Sequence, residues 1–250
     1  MSTFLQGSAL ARRAVVSPNF GARRNGRAVD MLVLHYTGCP SAESALLWMC
    51  SQEAQVSAHY LVDEDGEIVQ LVDEAARAWH AGASCWAGER DINSCSIGIE
   101  IQNPGPLEGE LAPYPDIQIE AVVALARDIA HRHGIAPHRI VGHSDIAPAR
   151  KADPGEHFPW ARLAEAGLGL WVEPVALDVD AQGGVDVAAA QGMLRKLGYG
   201  IETSGQYDEA TREVLRAFQR HWRPARVDGE LDASTMMTLE RLAGALDRIA

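Results

Sequence analysis

Lysine is almost missing from this chain. Of its 22 basic residues 20 are Arg, and the only lysines are Lys151 and Lys196. Arginine is the default cation here, so each lysine asks for a reason of its own. Basic charge as a whole is also short: 22 basic against 34 acidic residues leave a net charge of −12. Phosphate attraction needs a basic face, so no nucleic-acid partner is expected. No apolar run approaches the roughly 18–20 residues of a membrane-spanning helix, which excludes an integral membrane segment. The cysteines (Cys39, Cys50, Cys85, Cys95) form no CxxC pair. A chain of this size folds without disulfides, so free thiols are expected. The N-terminus, MSTFLQGSALARRAVV, puts its arginines after an apolar stretch that Gln6, Gly7 and Ser8 interrupt. That order is the reverse of a secretory signal. These features point to the cytoplasm, with the periplasm or cell envelope as the alternative. No HExxH motif is present, which removes the commonest zinc-peptidase signature.

What is present reads as two units. Residues 1–27 form an Arg-rich arm or irregular lead-in. From 28 to 171, β-type runs alternate with helical patterns. MLVLHY (31–36), the hairpin AHYLVDEDGEIVQLV (58–72), SIGIEIQ (96–102) and RIVGH (139–143) read as strands. Segments 41–50, 115–134 and 161–167 read as helices, with Ser41 and Gly134 as caps and residues 117, 121, 122, 125, 126 and 129 forming the apolar face of the longest. A linker follows at 172–183. Three helical patterns then occupy about 186–197, 208–222 and 232–246 of a second unit, 184–250. The expected fold is α/β, a mixed central sheet flanked by helices, plus a small all-α bundle. The bundle holds a repeat: Gly205-Gln-Tyr-Asp208-Glu-Ala-Thr211 is matched 24 residues on by Gly229-Glu-Leu-Asp232-Ala-Ser-Thr235. Each half places an Asp to cap a helix. Arg216 and His221 in this unit read as surface residues.

Of nine His, two stand out. His35 and His143 each end a strand-like run, where sites on sheet scaffolds collect. Asp153 lies ten residues after His143. Two His and one carboxylate suit a catalytic zinc with a fourth position open, although so His-rich and acidic a chain offers many such sets. Glu100 shares side-chain parity with Ser96, Gly98 and Gln102, opposite Ile97, Ile99 and Ile101. It reads as a solvent-facing acid or as a general base in a cleft, with Gly98 leaving room for a close approach. Lys151 reads as a surface lysine, or as a compact ammonium that steadies an oxyanion. Asp145 either orients a ligand or caps the following turn.

Four segments bear on these alternatives: LVLHYTG (32–38), VSAHYLVDEDGEIVQLVDEAARAWHAG (56–82), INSCSIGIEIQN (92–103) and VGHSDIAPARKADPGEHFPW (141–160). In that order and spacing they resemble the type 2 N-acetylmuramoyl-L-alanine amidases, zinc enzymes related to peptidoglycan recognition proteins. The match looks closest to the AmpD-like and AmiD-like branch and covers about residues 28–170. DGELDASTMMTLE (228–240) resembles the small helical peptidoglycan-binding domain often appended to wall hydrolases. The resemblance implies one Zn2+ held by His35, His143 and Asp153. It also implies Glu100 as the catalytic acid and base, and Lys151 as oxyanion stabiliser. Trp79, His80 and Asn93 would lie around the substrate, although from the residues alone Trp79 also reads as core and Asn93 as a turn residue. His59 aligns with a family histidine and is expected to be structural. The implied reaction is hydrolysis of the amide between the muramic acid lactyl group and L-alanine, in peptidoglycan or in (anhydro-)muropeptides, with no organic cofactor. The rival class is a non-catalytic peptidoglycan-binding protein, which should have lost a ligand; none is lost here. The short turn at 63–66, where some envelope-attached members carry a long insertion, leaves the preference between intact wall and released fragments open. Removal of residues 173–250 is expected to weaken wall binding and to spare cleavage of a soluble muropeptide.

Overall fold

The computed structural model describes residues 6–107, 110–179 and 186–249. In chain order the first unit runs β1 (Arg13–Ala14), β2 (Phe20–Ala22), β3 (Met31–Tyr36), α1 (Ala42–Met49), β4 (Tyr60–Val62), β5 (Ile68–Gln70) and β6 (Ala76–Ala78). It continues with α2 (Ile92–Cys95), β7 (Ser96–Ile101), β8 (Pro106–Leu107), β9 (Glu110–Leu111), α3 (Asp116–His133), β10 (Ile140–Gly142), α4 (His143–Ile146) and α5 (Trp160–Glu165). The second unit is α6 (Val187–Leu197), α7 (Glu209–Trp222) and α8 (Ala233–Leu246). Six strands form a mixed sheet in the order β1-β5-β4-β7-β3-β10. Only the β4–β5 hairpin is antiparallel. Among the described residues no helix is long and apolar enough to cross a membrane.

Strand alternation sorts the side chains onto two faces. Leu32, Leu34, Ile97, Ile99 and Ile101 pack under α3 against Ile119, Val122, Leu125, Ala126 and Ile129. The buried face of α3 is the expected one at Val122, Leu125, Ala126 and Ile129, with one exchange at its start: Ile117 is 57% exposed and Ile119 fills the core instead. The other face carries Met31, Val33 and His35 on β3, and Ser96, Gly98 and Glu100 on β7. On that side Met31, Val33 and Val141 share one hydrophobic cluster with Trp86, Ala190, Leu194, Phe218 and Trp222. The two units are therefore not beads on a string. Of the expected linker, 172–183, residues 180–183 lie outside the described residues. Before them Val175 is buried, donating its N–H to Thr238 Oγ1 and accepting from Ser234 Oγ.

The repeat in the tail is a repeat of caps. Asp208 accepts from the Thr211 N–H, and Asp232 from the Thr235 N–H. Each cap is backed by a buried glutamine that binds the turn Gly and the Thr hydroxyl: Gln191 to Gly205 and Thr211, Gln219 to Gly229 and Thr235.

Of the two readings of residues 1–27, an arm or an irregular lead-in, the arm is corrected and the lead-in fits. Met1–Leu5 of that segment lie outside the described residues. Beyond them β1 joins the main sheet beside β5, and β2 pairs with β6. The Arg23 guanidinium donates to the carbonyls of Glu74, Asn93, Ser94 and Ser96. Arg23 thus satisfies backbone carbonyls within the fold, a use that composition does not reveal, while Arg13, Arg24 and Arg27 form ion pairs at the surface.

Glu74 anchors the same edge. Its carboxylate accepts from Tyr60 Oη at 2.5 Å, from both Arg132 terminal nitrogens and from His133. Burial pushes this acid up, but the hydrogen bonds from Arg132, His133 and Tyr60 outweigh it and hold the pKa at about 2, against 4.5 for a free side chain. The folded value is the lower one, so the stabilisation is present above about pH 4.5 and is lost as the pH falls toward 2. A shift of that size corresponds to on the order of 3 kcal/mol. Glu74→Gln should lower the melting temperature at pH 7 and flatten its decline between pH 5 and 2. Melting curves at several pH values check this; an unchanged acid limb would contradict it.

Candidate metal centre

The parallel register builds the site. β3 pairs with β7 so that His35 lies beside Glu100, and β10 pairs with β3 through Gly142 and Leu34. His143, the next residue, therefore emerges near His35. The site sits at the carboxyl ends of parallel strands, where open α/β sheets bind ligands. A loop then returns Asp153 to both histidines.

His35 Nδ1 and His143 Nδ1 are 2.9 Å apart, and Asp153 Oδ2 is 3.1 and 2.9 Å from them. All three residues are buried. Their tautomers follow from the outer partners. His143 Nε2 faces the Ala81 carbonyl at 3.1 Å and must donate to it. In a neutral ring that leaves a lone pair on Nδ1. For His35 the chain of donors is longer. Ser96 Oγ donates to the Ile92 carbonyl at 2.6 Å and so accepts from His80 Nε2–H. His80 Nδ1 then accepts from His35 Nε2–H at 3.0 Å, which leaves the lone pair of His35 on Nδ1.

Neutral rings are favoured at His35 and His80. Burial, then the neighbouring His143, push His35 down to about 4. Burial, then His35, push His80 well below its usual value. Burial raises Asp153, but the two histidines outweigh it and hold the carboxyl well below the carboxylate range. Three lone pairs thus point at one spot with no proton of their own between them. Such a donor set fits a metal cation. The ring partners (Ala81 carbonyl, His80) are those that orient metal-bound imidazoles.

Around this centre lies a cleft of about 510 Å³, lined by Trp79, His80, Glu100 and Lys151 among others. Glu100 Oε2 is buried without a hydrogen-bond partner. Burial, then the Asp153 charge, push its pKa well above 4.5, with Lys151 opposing. Lys151 has no ion-pair partner among the described residues. Its neighbour Arg150 is used differently, donating to the carbonyls of Ala81 and Ala83.

Two residues expected at the substrate have other work. His80 is buried and packs on Gly98, where a Cβ would come within 2.5 Å of its ring. The room at Gly98 is therefore filled by a histidine that fixes His35. Asn93 does not line the cleft. Its Oδ1 accepts from the backbone N–H of His80 and Ala81, holding the loop that sets both tautomers. Trp79 does line the cleft. His59 is structural: Gly98 N–H donates to its Nδ1, and its Nε2 donates to the Ala76 carbonyl.

Asp145 does not touch a metal-site ligand. It caps α4 by accepting from the Gly142 N–H, and it accepts from Tyr199 and His221 of the second unit. His221 is therefore not a surface residue. It is 2% exposed and stacked between Trp160 and Trp222. Arg216 does face outward, paired with Glu209 and Glu213. The missed partner of Asp145 lies 76 residues away, and no local pattern signals it.

Comparison with known proteins shows the family. Residues 25–156 match the N-acetylmuramoyl-L-alanine amidase family, and residues 183–239 match a family assigned by its description to peptidoglycan binding. The chain is 39% identical to N-acetylmuramoyl-L-alanine amidase AmiD of Escherichia coli, over 86% of this chain and 82% of that one. It is 34% identical to 1,6-anhydro-N-acetylmuramyl-L-alanine amidase AmpD of the same organism, over 63% of this chain and 93% of AmpD. The structure of E. coli AmiD with its substrate anhydro-N-acetylmuramic acid-L-Ala-D-gamma-Glu-L-Lys superposes with a TM-score of 0.77 at 38% identity, covering 89% of this chain and 91% of that one. AmpDh3 of Pseudomonas aeruginosa with an anhydromuramic pentapeptide gives 0.75 at 33% identity, covering 91% and 95%. The chain belongs to the N-acetylmuramoyl-L-alanine amidase family.

Proposed function

We propose that this amidase works with one zinc ion, held by His35, His143 and Asp153, and cleaves the amide between the muramic acid lactyl group and L-alanine of peptidoglycan or (anhydro-)muropeptides. The observation that carries the reading is the convergence of three lone pairs on one buried spot beside an unpartnered carboxyl. Zinc held there would supply Lewis acidity, polarising the scissile carbonyl and making water a competent nucleophile near neutral pH.

The chain's own residues then do the following. Glu100 Oε2 takes the proton of the attacking water and passes it to the departing amine nitrogen of L-alanine. Its raised pKa suits the second half of that task, when the carboxyl must give the proton up. Lys151 places its ammonium beside the carbonyl oxygen as negative charge develops there. His80, Ser96 and the Ala81 carbonyl hold the two imidazoles in their ligand tautomers. Trp79 offers an aromatic wall for the sugar or stem peptide. The second unit gives the protein a means of contact with the wall.

A non-catalytic binding role is disfavoured, because all three ligands and both catalytic groups are present. The anhydro-muropeptide carried by AmiD supports a soluble fragment as one substrate of this chain. The four free thiols support a cytoplasmic location, which cell fractionation with an activity assay checks. The reaction is tested by mass spectrometry of products from a soluble anhydro-muropeptide and from intact sacculi. Release of peptides with a free L-alanine N-terminus is expected. Failure of that release from both substrates would sink the reading.

A further inference from the structure

We infer that the C-terminal helical unit is a positioning element for the metal centre. Tyr199 and His221 hold Asp145, and through Asp145 they hold the first turn of α4, which presents His143.

Asp145 is fully buried two residues after His143. One oxygen accepts from Tyr199 Oη at 2.6 Å; the other accepts from His221 Nδ1 at 2.7 Å and from the Gly142 N–H at 2.8 Å. Two of its three donors therefore come from the second unit. A buried carboxylate stripped of its donors does not stay in place, because nothing else offsets its lost hydration. The donors are themselves fixed. His221 is clamped between Trp160 and Trp222 at 3.7 and 3.6 Å. The Tyr199 ring packs edge-on against Trp86 at 5.0 Å.

A second contact acts on the other half of the centre. Trp86 forms a β-bridge with Tyr199, and the Ala87 N–H donates to the Gly198 carbonyl at 2.7 Å. Trp86 lies on the same loop as His80 and Ala81, the residues that set the tautomers of His35 and His143. The unit thus touches both segments on which the ligand geometry depends. A domain that served only as a tether to the wall would need neither contact.

The inference rests on the metal reading of His35, His143 and Asp153. The test uses the full chain, stripped of metal, and measures zinc affinity by competition with a chromogenic chelator. Tyr199→Phe with His221→Phe keeps both rings and removes both donors. Its zinc affinity should fall about tenfold or more, and kcat on a soluble muropeptide should fall while KM holds. His221→Asn, which returns an N–H near the position of Nδ1, should bind zinc more tightly than His221→Phe. Leu242→Ala, in the tail core and away from Asp145, should lower the melting temperature with zinc affinity unchanged. Unchanged affinity in the double variant, or an equal loss in Leu242→Ala, would reduce the unit to a packing partner and overturn the inference. Should the double variant not fold, Tyr199→Phe alone should show a smaller loss in the same direction, and no loss overturns the inference. A wild-type chain that binds no zinc fails the metal reading itself.

Discussion

Glu100→Gln should lower kcat by about 10²- to 10⁴-fold, the range supplied by a positioned acid and base, with zinc still bound and KM little changed. The amide is nearly the same size but cannot take a proton from water or carry it to the amine. The same change should stabilise the metal-free protein. Burial and the nearby Asp153 hold the folded pKa of Glu100 above its unfolded value. For a carboxyl raised in this way, ionisation near neutral pH opposes folding, and a neutral amide removes that opposition. Lost turnover with a melting temperature equal or higher is the signature of a group kept for chemistry at a cost in stability. A variant that is both inactive and much less stable would mean that Glu100 is structural. Circular dichroism melts alongside product mass spectrometry separate the two.

Lys151→Arg should cost about 10²- to 10³-fold in kcat, the usual loss for one oxyanion-stabilising group, while Lys196→Arg should leave activity within experimental error. Charge is conserved in both, so the contrast isolates shape. At 151 the ammonium stands in the cleft as a compact point charge; a guanidinium is planar, larger and forked. Arg150 next to it shows what an arginine does here, which is to clamp backbone carbonyls. Lys196 pairs with Asp247 on an exposed face, with side chains 46% and 60% exposed. Surface pairs of that kind are worth about 0–1 kcal/mol and tolerate the exchange. Equal tolerance at both positions, read from kcat on a soluble muropeptide, would remove Lys151 from the mechanism.

Local chemistry carried much of this from the sequence. Ser41 and Gly134 cap α1 and α3, and Asp208 and Asp232 cap the tail helices, as their residue types require. The alternation in SIGIEI set the isoleucines apart from Glu100. Where reading failed, the reason was distance along the chain. The Arg23 partners, the Asp145–His221 pair and the burial of Met31 and Val33 under the tail all join segments that no periodicity relates. The linker motif hid the shared core, because a Pro- and Gly-containing connection does not say whether the units it joins are packed. That packing alters the expectation for a truncated chain. Loss of residues 173–250 would bare Val141 and Ile146 and strip two donors from Asp145, so turnover of a soluble substrate should not be spared. One role of His80 was also out of reach: it does line the cleft, and it links Ser96 to His35 as well.

The central claim is that amide cleavage depends on zinc at His35, His143 and Asp153. Its most direct test is turnover of a soluble anhydro-muropeptide by protein stripped with a strong chelator, dialysed, and then given one equivalent of zinc. The account predicts no release of the L-alanine peptide from the stripped protein and full recovery on adding zinc. It also predicts no recovery in Asp153→Ala at the same zinc concentration. Undiminished cleavage in excess chelator would contradict it.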